Sequence, residues 1–125
     1  MVIDSAGTGN WHIGDPPDVR AQTCARVRGV DITALRARQF QVEDFERFDR
    51  ILAMDSQNLH DILRLARGEA DRRRVRLMLD YPGSHNLTDV PDPYFGGDDG
   101  FHHVFSLLDD ACTQLLEEIR LEARL

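Results

Sequence analysis

Apolar positions fall on one face most regularly near the C-terminus. From Phe101 to about Arg124, residues Phe101, Val104, Phe105, Leu108, Ala111, Cys112, Leu115, Leu116 and Ile119 recur every three or four places and predict a long amphipathic helix. A second stripe, Leu59, Ile62, Leu63 and Ala66, predicts a helix capped by Asp55 or Ser56. A third, with Ala21, Cys24, Ala25 and Val27, predicts a helix from Val19 to Arg28 that starts after Asp18 and stops at Gly29. Val42 to Phe48 reads as one or two helical turns. Between these lie short apolar runs without helical period. Arg50-Ile51-Leu52-Ala53-Met54 and Val75-Arg76-Leu77-Met78-Leu79 predict strands, the first covered on both faces, and Val2-Ile3-Asp4-Ser5 reads as the end of a buried strand.

Helix and strand alternate, so the expected class is α/β with a small, mostly parallel sheet and flanking helices. In such sheets ligands gather outside the carboxyl ends of the strands. Three strand ends, near Ser5, Met54 and Leu79, run into polar or glycine-rich loops. The 125 residues form one domain, 1–125, large enough for a hydrophobic core.

Composition narrows the classes. No apolar run approaches the length of a membrane span, and the N-terminus lacks a signal-peptide pattern, so a cytoplasmic protein is expected. All 15 basic side chains are Arg against 22 acids, a net charge of −7 that argues against nucleic acid as a partner. The run of Arg72, Arg73, Arg74 and Arg76 beside Glu69 and Asp71 reads as a solvated helix end. Cys24 and Cys112 fall in apolar-periodic segments and are expected to be buried thiols. His102 and His103 stand near Asp98 and Asp99, but adjacent histidines on a helix point in different directions, so no metal and no cofactor are expected.

The chemistry concentrates in Asp89-Val90-Pro91-Asp92-Pro93-Tyr94-Phe95-Gly96-Gly97. Its prolines and glycines exclude a helix interior, and Pro93 drives Asp92 towards an extended conformation. A carboxyl held over a cleft with Tyr94 and Phe95 as walls suits an aryl substrate whose leaving oxygen needs a proton.

Asp4-Ser5-Ala6-Gly7-Thr8, Trp11-His12-Ile13-Gly14, Pro16-Pro17-Asp18, Arg36-Ala37-Arg38-Gln39, Asp44-Phe45, Phe48-Asp49, Ile51-Leu52-Ala53-Met54-Asp55, Asn58-Leu59 and Asp92-Pro93-Tyr94-Phe95-Gly96 occur in this order. Together they make the whole chain resemble the low-molecular-weight protein tyrosine phosphatases. The resemblance implies a Rossmann-like three-layer fold. It also implies that Asp92 is the general acid, that Trp11, Tyr94 and Phe95 are aromatic walls for a phosphotyrosine or other aryl ligand, and that Ser5 braces the phosphate-binding loop. Phe95 stands where the family often has Tyr.

That family opens with a strand, a Cys-x5-Arg loop and a helix, and the resemblance implies that this chain begins after them. Six residues beyond Cys24 stands Val30, and six beyond Cys112 stands Glu118, so neither cysteine opens such a loop. A general acid supplies about 10² to 10⁴ in rate, against up to roughly 10²¹ for enzymatic phosphate monoester hydrolysis, so Asp92 alone does not suffice. The leading expectation is a catalytically inactive binding or regulatory module. The alternative is an active tyrosine phosphatase whose Cys-x5-Arg loop comes from an upstream segment or a partner chain. Loss of the first strand-loop-helix unit would leave a sheet edge unpaired, and a homodimer is expected on that ground. Arsenate reductases of related fold need the same loop and further cysteines.

Overall fold

The computed structural model describes residues 2–81, 87–92 and 97–123. The helix α1, Val19–Val27, starts where Asp18 accepts a hydrogen bond from the Arg20 N–H, and it ends at Arg28. Gly29 follows in the left-handed region at φ 81°, which glycine adopts without the steric cost other residues meet. A single turn, α2, spans Asp44–Arg47. The strand β1, Ile51–Ala53, leads through Asp55 into α3, Ser56–Leu65, and a short helix α4 covers Glu69–Arg73. The strand β2, Val75–Leu77, pairs with β1 in parallel, Ile51 beside Val75 and Ala53 beside Leu77. A 3-10 turn at Met78–Asp80 and the helix α5, Gly97–Ala123, complete the described elements.

Alternation along β1 divides the core between two faces. Ile51 and Ala53 pack with Phe45 and Ile62 on the side of α2 and α3, where Phe40, Leu59, Val75 and Leu77 fill in. Leu52 faces the other way, against Met78, Leu79, Tyr81, Leu107 and Ala111 beneath α5. A strand buried on both faces loses its period-two polar positions, which is why this segment reads as an unbroken apolar run. The rim of the α5 face is closed by charge: Tyr81 donates to Glu118 at 2.6 Å, Arg76 pairs with Glu118 at 3.3 Å, and Arg50 reaches Glu118 and Glu122.

Four expectations need correction. Residues Val2 to Ser5 are not a strand, and Val2 and Ile3 are 81% and 82% exposed. A segment becomes a strand only when a neighbour meets its N–H and C=O groups, and among the described residues the pairing near it is the isolated parallel bridge Gly7–Gln39. The second strand ends at Leu77 rather than Leu79, because Met78 and Leu79 turn to bury both side chains beneath α5. The last helix begins at Gly97, four residues before Phe101. Cys112 is exposed, since the buried stripe runs through Leu107 and Ala111 and leaves residue 112 on the flank. Cys24 is buried as expected.

Candidate functional site

Two of the three strand-end loops are sewn to the first turn of α3. Asp55 caps that helix by accepting from the Asn58 N–H at 2.7 Å. Asn58 in turn donates its side-chain amide to Thr8 Oγ1 at 3.3 Å, which fixes the Gly7–Thr8 loop against the helix. On the other side Asp89 Oδ1 accepts from both the Ser56 N–H, at 2.8 Å, and the Ser56 hydroxyl, at 2.7 Å. The Val90 N–H donates to the Met54 carbonyl at 2.8 Å, so residues 89 and 90 lie against the carboxyl end of β1. Asp92 follows two residues later and is exposed.

Loop 4–8 has a second anchor. Gly7 and Phe40 exchange ladder bonds with Arg38 and Gly7 carbonyls, and the Gln39 amide donates to the Thr8 carbonyl. Arg38 bridges Asp4 and Asp44 at 3.0 Å each. Asp44 is almost fully buried and also accepts from the Gln41 N–H at 2.8 Å. Burial works to raise its pKa, but the Arg38 and Gln41 hydrogen bonds and the Arg38 and Arg47 charges outweigh it and hold the carboxyl below its ordinary value.

Of the residues singled out from the sequence, Ser5 is exposed next to this anchored loop, its N–H bonded to the Asp4 carboxylate at 2.8 Å. Trp11 is 76% exposed, its ring edge-on to His12. It lies over Gly9, where an added Cβ would meet the indole at 2.4 Å, so this close approach needs glycine. Tyr94 and Phe95 lie outside the described residues. Neither cysteine resembles a poised nucleophile: Cys24 is buried in α1 with its sulfur 3.3 Å from His102 Nδ1, and desolvation, followed by the Asp109 charge, raises the Cys112 pKa. Among the described residues no group of three or more metal-ligating side chains converges, and no helix is long and apolar enough to cross a membrane. The contacts of Ser56 with Asp89 and of Asn58 with Thr8 were not legible in the sequence, because the partners stand 33 and 50 residues apart along the chain.

A parallel sheet between α3 and α5, with an acid-bearing loop fastened at the carboxyl end of β1, defines an α/β protein of the kind in which ligands gather at such loops. The model of the low molecular weight phosphotyrosine protein phosphatase family matches residues 1–125, and the chain belongs to that family. A putative low molecular weight protein-tyrosine-phosphatase of Synechocystis is 44% identical over 122 residues, covering 98% of this chain and 77% of the relative. The Bacillus subtilis phosphatase YfkJ is 39% identical over 125 residues, covering all of this chain and 78% of the relative. A crystal structure of a protein tyrosine phosphatase from Entamoeba histolytica superposes with a TM-score of 0.90 at 35% identity, over 99% of this chain and 78% of that one.

Proposed function

We propose that this protein is a protein tyrosine phosphatase that hydrolyses phosphotyrosine monoesters, and that the cysteine and arginine of its Cys-x5-Arg loop lie outside these 125 residues, on a preceding segment or a partner chain. The observation that carries the reading is that relatives 36% to 44% identical across at least 93% of this chain are named as phosphatases. Those names favour an enzyme over an inactive binding module. In this mechanism the thiolate attacks phosphorus, the P–O bond to the tyrosyl oxygen breaks, and the Asp92 carboxyl gives its proton to that oxygen as it leaves. Water then cleaves the phosphocysteine and releases phosphate. Trp11, Tyr94 and Phe95 flank the aryl ring, and Ser5 braces the phosphate loop from loop 4–8.

The sheet agrees with a further segment. Among the described residues β1 pairs on one edge alone, and Val2 and Ile3 are exposed a few residues before the Gly7 bridge. A strand brought by the loop-bearing unit would satisfy such groups, and a second copy of the chain is the other candidate source. The test is the intact mass of the protein from its native cell together with turnover of phenyl phosphate. A mass above 14.3 kDa, turnover, and a loss of about 10² to 10⁴ on Asp92→Asn are expected. A 14.3 kDa protein that binds aryl phosphates without turnover, alone or with its native partners, would return the binding-module reading.

A further inference from the structure

We propose that Asp89 is a positioning residue for the general acid: its clasp on Ser56, at the first turn of α3, sets where Asp92 meets the leaving oxygen. This rests on the reading of the protein as a phosphatase with Asp92 as its acid. A general acid must sit within hydrogen-bond reach of the departing oxygen, and a displacement of about 1 Å costs on the order of 10² in rate. Asp92 is borne by an exposed loop, so something must hold that loop. Two fasteners lie just upstream of it. Asp89 Oδ1 takes both donors of Ser56, and Val90 hangs from the Met54 carbonyl with its side chain packed against the Met78 and Leu79 cluster.

The clasp uses a group the helix cannot satisfy itself. The first amides of α3 have no intrahelical acceptor, and Asp55 already takes the one at Asn58. Asp89 takes the one at Ser56, so two carboxylates share a helix N-terminus, whose dipole favours negative charge. From Asp89 the chain runs Val90-Pro91-Asp92-Pro93. Pro91 and Pro93 have fixed φ, and each restricts the residue before it to extended conformations. Few torsions are therefore free between the clasp and the Asp92 carboxyl, and orientation imposed at 89 and 90 is carried to 92. The same helical turn holds Thr8 through Asn58, so it also fixes the distance between the acid and loop 4–8.

The test compares phenyl phosphate, whose leaving oxygen needs a proton, with 2,4-dinitrophenyl phosphate, whose leaving group departs without one. The native protein is used, with the segment or partner that supplies its nucleophile. Asp89→Ala is expected to lower kcat/KM for phenyl phosphate about tenfold and for the dinitrophenyl ester less than about twofold. Asp89→Asn, whose amide oxygen still accepts both bonds, should stay within about threefold of the parent on phenyl phosphate, and Ser56→Ala should fall between. Equal losses on both esters, or no loss on either, would overturn the proposal, with thermal unfolding checked so that a misfolded variant is replaced by Ser56→Ala. A parent protein that turns over neither ester would instead sink the phosphatase reading. Amide hydrogen exchange then judges the clasp: faster exchange at Ser56 and Val90 in Asp89→Ala upholds it, and unchanged protection refutes it.

Discussion

Asp44 offers the sharpest energetic test of what holds loop 4–8 in place. Asp44→Ala removes a carboxylate that is 1% exposed and accepts from Arg38 at 3.0 Å, from the Gln41 N–H at 2.8 Å and from Arg47 at 3.4 Å. A charge-assisted hydrogen bond is worth about 1.5–3 kcal/mol, and leaving the Gln41 N–H without its acceptor costs about 1–3 kcal/mol more. These do not simply add. The Arg38 side chain is 32% exposed and keeps Asp4, and Arg47 is solvated, so water recovers part of the loss. The expected cost is about 3 kcal/mol, or roughly 10 °C in Tm for a chain of this size. Asp44→Asn keeps the shape and an acceptor for Gln41 but loses the charge, and should cost about half as much. The pH dependence has a definite sign. The folded pKa lies below the unfolded one, so the carboxylate's contribution is complete above the unfolded value of about 4 and fades as pH falls through the lowered folded value. Urea unfolding at pH 7 and pH 3 measures both quantities. The gap between parent and Asp44→Asn should narrow at the lower pH. A cost under about 1 kcal/mol for Asp44→Ala, or a gap that is the same at both pH values, would refute the reasoning.

Phe45→Ala should cost about 3–5 kcal/mol in urea unfolding, since the ring is 1% exposed and packs edge-on to Phe40 at 5.3 Å. Gly9→Ala drives a Cβ into the Trp11 indole, which is exposed and free to swing, so stability should change by less than about 1 kcal/mol while Trp emission and aryl-phosphate affinity shift together. Tyr81 ionises above the ordinary phenol range, chiefly through burial and then through its bond to Glu118, against the opposing charges of Arg76 and Arg50. Spectrophotometric titration of the 125-residue chain carrying Tyr94→Phe should therefore show Tyr81 ionising later than free tyrosine, and Glu118→Gln should change its midpoint. We also propose the homodimer expected from the open sheet edge, and light scattering giving a monomer at micromolar concentration would dispose of it.

What the sequence made legible is what is local and periodic. The stripe Leu59, Ile62, Leu63 and Ala66 announces α3 because a helix packed on a sheet repeats its buried positions at fixed intervals, and Asp55 announces its start because a cap is a neighbour of what it caps. Val2 to Ser5 misleads for the converse reason. Its residues favour a strand, but a strand's hydrogen bonds belong to its neighbour, and the described residues place none beside them. Cys112 misleads by one hundred degrees of helix, a shift that an apolar residue at 111 and another at 115 conceal.

The site divides along the same line. Asp92 is visible as an acid between two prolines, because the loop's own chemistry constrains it. Asp89 is three residues away and looks like any loop acid, since its meaning comes from Ser56, 33 residues earlier. The visible residue would do the chemistry, and the hidden one would decide whether the chemistry is aimed. On the proposed reading, a substitution at Asp92 would abolish the proton transfer for every poor leaving group and so would report only that an acid is needed. A substitution at Asp89 would leave the acid present and, if the clasp aims it, move it, so its effect would scale with how much the leaving group depends on being met at the right place.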